Sequence, residues 1–257
     1  MHTFRVLQFN MQFGQGWDEA DPDHGPVDLA ATVAEIERHA ADIILLQEVE
    51  RAGPQGEQPY PPNNYEQLRT TLGGYDSFFS YPRPDTRELP FGIGLAIFSR
   101  TPLTARFRED LPSPAIPFEY DGRPRTPTDR LLIGARTTLG QREVTLLNTH
   151  LLAFFMLNAS SEVHGEQRSR VAARLKSFSG PVLLGGDFNV SRHASLIGQF
   201  SEAGFSSVQQ TEITWRRRPY VLDHIFYNEP LRVVAHRVEP TPASDHHAIV
   251  ADFEFVG

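Results

Sequence analysis

The sequence contains no cysteine, which excludes disulfides, a thiolate nucleophile and any cysteine-based zinc site, and accords with a reducing compartment. Long apolar runs are missing too: the longest, residues 151–157, is far too short to span a bilayer. The amino terminus, Met1-His2-Thr3, passes straight into a strand-like pattern without the basic and apolar regions of a secretory leader, so a soluble, cytoplasmic chain is expected. Positive charge is not in excess. A formal net charge of −8 argues against a broad basic nucleic-acid surface, while leaving room for a local patch. No repeat, low-complexity tract or linker divides the 257 residues. That length suits an α/β or two-sheet unit with a sizeable core, so one domain over residues 1–257 is expected, with a monomer favoured.

What is present is organised around Gly180-Pro181-Val182-Leu183-Leu184-Gly185-Gly186-Asp187-Phe188-Asn189-Val190. An apolar run opened by Gly-Pro and closed by Gly-Gly reads as a short buried strand that delivers Asp187 and Asn189 past its end. In an extended segment, side chains at i and i+2 project to one side. A carboxylate and a carboxamide aimed at one point can position a water and take its proton. Taken alone, the plainer reading, a strand followed by an Asp/Asn turn, is the stronger. The rest of the chain reverses that balance.

Residues 4–10 alternate apolar and polar positions and leave Asn10 at a strand end, before a glycine-punctuated loop. Residues 27–39 carry Leu29, Val33 and Ile36 at helical spacing with Asp28 in the first turn. Residues 42–49 read as a second buried strand ending in the carboxylate of Glu48. A Pro/Gly/Gln-rich loop follows over 51–64, then a short helix over 65–72 stopped by Gly73-Gly74, and a strand over 91–100. Prolines recur through 101–128, a strand-and-loop excursion without helix. Residues 131–135 and 143–148 form a predicted antiparallel hairpin whose second strand ends in Asn148-Thr149-His150. Residues 166–178 form an amphipathic helix whose arginines read as a solvated face. A short helix near 194–203 and strands over 222–227, 231–238 and 248–255 complete the chain.

The polar strand ends, Asn10, Glu48, His150, Asp187 with Asn189, Asp223 and Asp245 with His246, each abut an apolar run, an expensive arrangement without purpose. Oxygen donors with a few histidines and no thiol favour Mg²⁺ or Mn²⁺ over structural zinc.

In order along the chain, Asn10, Leu46-Gln47-Glu48-Val49, Asn148-Thr149-His150, Gly186-Asp187-Phe188-Asn189, Leu222-Asp223 and Ser244-Asp245-His246 resemble the motif series of the endonuclease/exonuclease/phosphatase, or DNase I-like, superfamily. Each motif is weak by itself; the ordered series is specific and covers nearly the whole chain. The resemblance implies a four-layer α/β sandwich of two packed mixed β-sheets flanked by helices, and divalent-metal-dependent phosphoester hydrolysis at the sheet edge. It implies Glu48 as the principal metal ligand, with Asn10 and Asp245 completing or flanking the metal shell. Asp187, aided by Asn189, would position and deprotonate the attacking water. His150 and His246 would hold the phosphate oxygens, with Asp223 orienting one of the two imidazoles. His224 and His247 read as packing neighbours. The chain departs from the family pattern at Gln12, where some relatives carry an acid, at His224, where an aromatic is usual, and at Ala248, where proline is common. None of these removes an essential group.

Two features bear on the substrate. Trp215-Arg216-Arg217-Arg218 would offer cations and a stacking surface to a polyanion, or else form a solvated cluster. Residues 151–157 read as core or pocket wall, with an apolar lip of a sphingomyelinase-like lipid phosphodiesterase as the lesser alternative. The expectation is a metal-dependent phosphodiesterase acting on a small or single-stranded phosphoester. A nuclease on DNA or RNA is the rival reading, long duplex DNA being disfavoured, and a catalytically silent binding module is the alternative outside the enzymes.

Overall fold

The computed structural model describes residues 3–256, and the chain builds two six-stranded sheets in three passes. The first pass lays down β1 (Thr3–Asn10), helix α1 (Leu29–Arg38), β2 (Ile43–Arg51), helix α2 (Asn63–Thr71), β3 (Asp76–Ser80) and β4 (Gly92–Ser99). The second builds the other sheet from β5 (Thr104–Leu111), a separate hairpin of β6 (Phe118–Tyr120) and β7 (Arg123–Arg125), then β8 (Arg130–Leu139) and β9 (Arg142–His150). It continues through α3 (Glu166–Leu175), β10 (Val182–Asp187), α4 (His193–Ser201), β11 (Ser206–Ser207) and β12 (Asp223–Tyr227). The last pass, β13 (Leu231–Glu239) and β14 (Ala248–Phe255), returns to the first sheet. The strand orders are β13-β14-β1-β2-β4-β3 and β11-β12-β10-β9-β8-β5.

Each sheet contains a parallel pair, β1 with β2 and β9 with β10, joined by connections that carry α1 and α3 and flanked by antiparallel neighbours. Strand alternation sorts the side chains into layers. Phe4, Val6, Ile43, Leu45, Leu146, Leu183 and Ile225 form the core between the sheets. Leu7, Phe9, Ile44 and Leu46 face outward to meet Val33 and Ile36 of α1 and Leu68 of α2. On the other side Leu147, Leu184 and Phe226 meet Val171 and Leu175 of α3 and Phe200 of α4. The result is the expected four-layer α/β sandwich of mixed sheets. No helix among the described residues is long and apolar enough to cross a membrane.

Local details depart from the sequence-based expectations. Asp28 is the N-cap of α1, accepting a hydrogen bond from the Ala31 amide at 3.1 Å, rather than a first-turn residue; such a cap contributes about 1 kcal/mol. The edge strand β3 was not expected, because Asp76-Ser77-Phe78-Phe79-Ser80 lacks clean alternation and is held as a strand by its pairing with β4. Strand β2 does not end at Glu48 but continues to Arg51 through a register shift against β4 between Gln47 and Glu50.

Candidate active site

The two parallel pairs end at the same edge of the sandwich, where open α/β sheets characteristically bind ligands. In β1 the inner-face positions read Phe4, Val6, Gln8, Asn10, and in β9 they read Val144, Leu146, Asn148, His150; both pass from apolar through amide to site residue along one face. The amides form a floor between core and site. Gln47 Nε2 donates to Asn148 Oδ1 at 2.7 Å, and Gln8 Nε2 donates to Gln47 Oε1 at 2.7 Å and to Asp223 Oδ1 at 3.0 Å. Asn148 Nδ2 in turn donates to the carbonyls of Leu46 and Ala96 across the sheets. Gly185 makes room for this layer, since a Cβ there would stand 2.5 Å from Leu45 and 3.3 Å from Gln8. Gln8, two residues before Asn10 on the same face, escaped the sequence reading; a polar residue on the inner face of an apolar strand was the signal for it.

Above the floor the site residues converge. Asn10 Nδ2 donates to Glu48 Oε1 at 3.0 Å and to Asp187 Oδ2 at 3.1 Å, bridging the two sheets. His150 Nε2 lies 3.8 Å from Glu48 Oε1 and 3.5 Å from Asp187 Oδ2. On the far side of Asp187, His246 Nε2 stands 3.7 Å from the same Oδ2, while its Nδ1 meets Asp223 Oδ2 at 2.8 Å. Register explains the convergence: Asp187 pairs with His150 in parallel and with Asp223 in antiparallel fashion, so the three are level.

Glu48 reaches this group by a backbone irregularity. Strict alternation would send it to the face opposite Gln47, but the bulge gives it φ +50° and turns its side chain into the site. Gly92 opposite is what leaves the space, because a Cβ there would lie 2.0 Å from Glu48 Oε2.

Asn189 differs from the extended geometry expected of it. It adopts φ +52°, its amide nitrogen donates to Asp187 Oδ1 at 3.0 Å, and its side-chain Nδ2 donates to the Leu151 carbonyl at 3.1 Å. It thus buttresses the Asp187 turn against the exit of β9. Asp245 lies at the margin: its Oδ2 accepts from Trp215 Nε1 at 3.1 Å and Arg217 Nε at 2.6 Å, and its Oδ1 is 3.9 Å from His246 Nε2.

Two of the three clustered arginines are taken up by internal contacts. Arg216 donates to the Thr241 carbonyl and stacks over Trp17, and Arg217 joins Asp245 to Asp23 and the Pro22 carbonyl; Arg218 is exposed. In the segment after His150, Leu151, Leu152 and Phe154 are buried and Phe155 packs on Trp215 and Tyr220, whereas Met156 stands 65% exposed. His224 is fully buried beside Phe188 and Phe226 and touches the Ser207 hydroxyl, a packing position, and burial pushes it down to about 4.

The charges in the cluster are strongly biased. Burial first, then the charges of Asp223 and Glu48, hold the Asp187 carboxyl well above its ordinary range against the opposing pull of His246 and Asn10. Burial, with Asp245 nearby, pushes Glu48 up to about 7. Burial together with Arg130 and His246 keeps His150 well below the usual histidine range. For His246 burial opposes the charge, but the carboxylates of Asp223, Asp187 and Asp245 outweigh it and raise the imidazole well above its usual range. The two imidazoles on either side of Asp187 are thus biased oppositely, His246 toward its charged form and His150 toward its neutral one.

The ligand atoms of Glu48, His150 and Asp187 all lie within 4.8 Å of one another, as do those of Asp187, Asp223 and His246. Crowded, desolvated carboxylates with a neighbouring imidazole fit a divalent cation with oxygen preference.

Comparison with known proteins agrees with this architecture. The chain is similar over its full length to an endonuclease/exonuclease/phosphatase from Beutenbergia cavernae, with a TM-score of 0.73, 21% identity and 72% of that chain covered. It covers 95% of the human Nocturnin catalytic domain with 99% of its own length, at a TM-score of 0.70 and 20% identity. For D. rerio TDP2 complexed with a single-strand DNA product the TM-score is 0.64 at 18% identity, with 98% of this chain and 99% of that one aligned. Among curated sequences, a UPF0294 protein of Photorhabdus laumondii is 28% identical over 116 residues, 44% of this chain, and the match spans 43% of that relative, somewhat under half its length. A sequence profile of the Endonuclease/Exonuclease/phosphatase family matches residues 7–246, from within β1 to the histidine that faces Asp187, and the chain belongs to that family.

Proposed function

We propose that the chain is a divalent-metal-dependent phosphoesterase, a phosphodiesterase acting on a small or single-stranded substrate by attack of water on phosphorus. The observation that carries this reading is Asp187, a buried carboxylate with raised proton affinity set between His150 and His246, with Glu48 beyond. A carboxylate of raised pKa is a better base than an exposed one, so Asp187 takes the proton of the attacking water, and Asn189 holds the Asp187 turn in place. His246, kept charged through Asp223, donates to a non-bridging phosphate oxygen as negative charge grows there. His150, neutral, offers a second ring contact without adding positive charge that would compete for Asp187. Glu48 would hold Mg²⁺ or Mn²⁺, with Asn10 and the free Oδ1 of Asp245 flanking it. When bound, such an ion supplies charge stabilisation to the phosphate and acidifies a water. A soluble monomer in the cytoplasm belongs to the same reading, and the lack of cysteine accords with a reducing compartment.

The test is hydrolysis of bis(p-nitrophenyl) phosphate with Mg²⁺, with Mn²⁺ and with chelator, in wild type and Glu48→Gln. Metal-dependent turnover that falls by roughly 10³-fold or more in the variant, with weakened metal binding by calorimetry, is expected. A folded wild-type protein that hydrolyses neither this diester nor p-nitrophenyl phosphate would leave the chain a silent binding module.

A further inference from the structure

Beside the metal-binding carboxylate, the second sheet sends out an arm. Leu111 of β5 pairs with Arg130 of β8, so residues 112–129 leave and return at one edge, and Leu131 pairs with His150. Within this excursion β6 and β7 form their own hairpin. It is tied to residues 82–91 by three contacts. Tyr120 meets Phe91 edge to face at 5.6 Å, Arg87 Nη1 donates to Thr126 Oγ1 at 2.6 Å, and Thr128 Oγ1 donates to Glu88 Oε2 at 2.6 Å. Phe91 adjoins Gly92, the residue against which Glu48 lies. Both walls of the arm therefore spring from strands that adjoin site residues.

Between the hairpin and residues 82–91 is an open depression of about 570 Å³ lined by Arg87, Arg123, Arg125 and Thr126, with Pro117 and Pro124. Its charge is only partly neutralised. Most arginines here face a carboxylate, as Arg83 faces Asp110 and Arg136 faces Glu143. Arg123 and Arg125 have no carboxylate within ion-pair distance among the described residues, and Arg125 Nε is buried without a hydrogen-bond partner. Arg87 alone of the three is paired, with Asp85. Guanidinium groups on a proline-stiffened hairpin present fixed, forked donors suited to phosphate, and the stiffness reduces the ordering lost on binding.

We propose that this depression is an anion subsite that takes a second phosphate of the substrate, either a terminal phosphate or the next link of a single strand, while the scissile phosphate lies at Asp187. The role as a substrate subsite rests on the phosphoesterase reading; phosphate binding by the hairpin stands on the geometry of the arm. Arg123 and Arg125 are specificity residues in this arrangement and take no part in the chemistry.

The experiment is calorimetric titration in metal-free, chelator-containing buffer with thymidine 5′-monophosphate, thymidine 3′,5′-bisphosphate and the 5′-phosphorylated dinucleotide pTpT. In the wild type the two probes with a second phosphate bind roughly tenfold or more tightly than the monophosphate, as two charge-assisted contacts imply. Arg123→Ala/Arg125→Ala brings that ratio close to one, whereas Arg170→Ala/Lys176→Ala, which removes equal charge from α3 and its C-cap, leaves it intact. The bisphosphate binding more tightly than pTpT identifies a terminal phosphate; equal binding identifies a strand link. Equal affinity for mono- and bisphosphate in the wild type, or a ratio that survives the hairpin variant, overturns the subsite. Should the alanine pair unfold by circular dichroism, Arg123→Gln/Arg125→Gln replaces it. Failure of the phosphoesterase reading looks different: the binding ratio persists while bis(p-nitrophenyl) phosphate is not hydrolysed.

Discussion

Asp223 receives a hydrogen bond on each oxygen, from Gln8 on one side and His246 on the other, and is fully buried. A carboxylate held from both sides in this way fixes the orientation of the imidazole that it faces. Burial opposes the charge on His246, and the carboxylates around it raise its proton affinity above the ordinary range. Asp223→Asn removes the largest of those opposing charges, so the proton leaves His246 at lower pH. The alkaline limb of kcat/KM for bis(p-nitrophenyl) phosphate should then move toward neutrality by about one unit or more, and turnover at neutral pH should fall roughly 10²–10⁴-fold. A limb that stays in place on a less active enzyme would remove His246 from the role of charged donor.

Strand β2 serves two elements at once. Its bulge turns Glu48 into the site, and two residues later Glu50, only 3% exposed, accepts the Tyr65 amide at 2.8 Å in the first turn of α2. The N-cap of that helix is Pro62, which has no side-chain hydrogen bond to offer, so the strand supplies the cap from outside. Burial pushes Glu50 up to about 7, although the Tyr65 and Asn64 amides pull it down. For a carboxyl raised in the folded state, the stability it lends is fully present below the unfolded pKa, near 4.5, and is lost as pH rises through about 7. The loss over that window is at most about 3 kcal/mol. Glu50→Gln keeps the acceptor and removes the titration, so denaturant unfolding of the metal-free variant should lose less stability than wild type between about pH 5 and 8. Identical pH slopes for the two proteins would show that Glu50 is not the titrating group.

At the scale of the whole molecule, the chain is acidic, with a formal net charge of −8, and two of its clustered arginines, Arg216 and Arg217, are spent on internal contacts. A protein that grips duplex DNA must neutralise many phosphates, and its affinity then collapses with salt. With few arginines near the site left without an internal partner, kcat/KM on small phosphodiesters should change by less than about tenfold between 50 and 200 mM salt. Cleavage of plasmid DNA that is efficient at low salt and vanishes across this range would establish a duplex nuclease instead.

Periodicity along the sequence marked the buried strands and the amphipathic helices, and the resemblance to the endonuclease/exonuclease/phosphatase family implied the four layers that they build. The ordered motifs likewise brought Asn10, Glu48, His150, Asp187, Asp223 and His246 to notice, since each is a polar residue that ends or interrupts an apolar run. What one dimension does not encode is which groups end level with one another. The register of β10 against β9 and β12 decided that Asp187 stands between two histidines, and that His246 rather than His150 is the partner of Asp223. The bulge at Glu48, the turn that points Asn189 at Leu151, and the capture of Arg217 by Asp245 were equally out of reach. Each depends on a residue distant in sequence, the glycine at 92, the carbonyl at 151 and the carboxylate at 245, whose position exists only once the two sheets have packed.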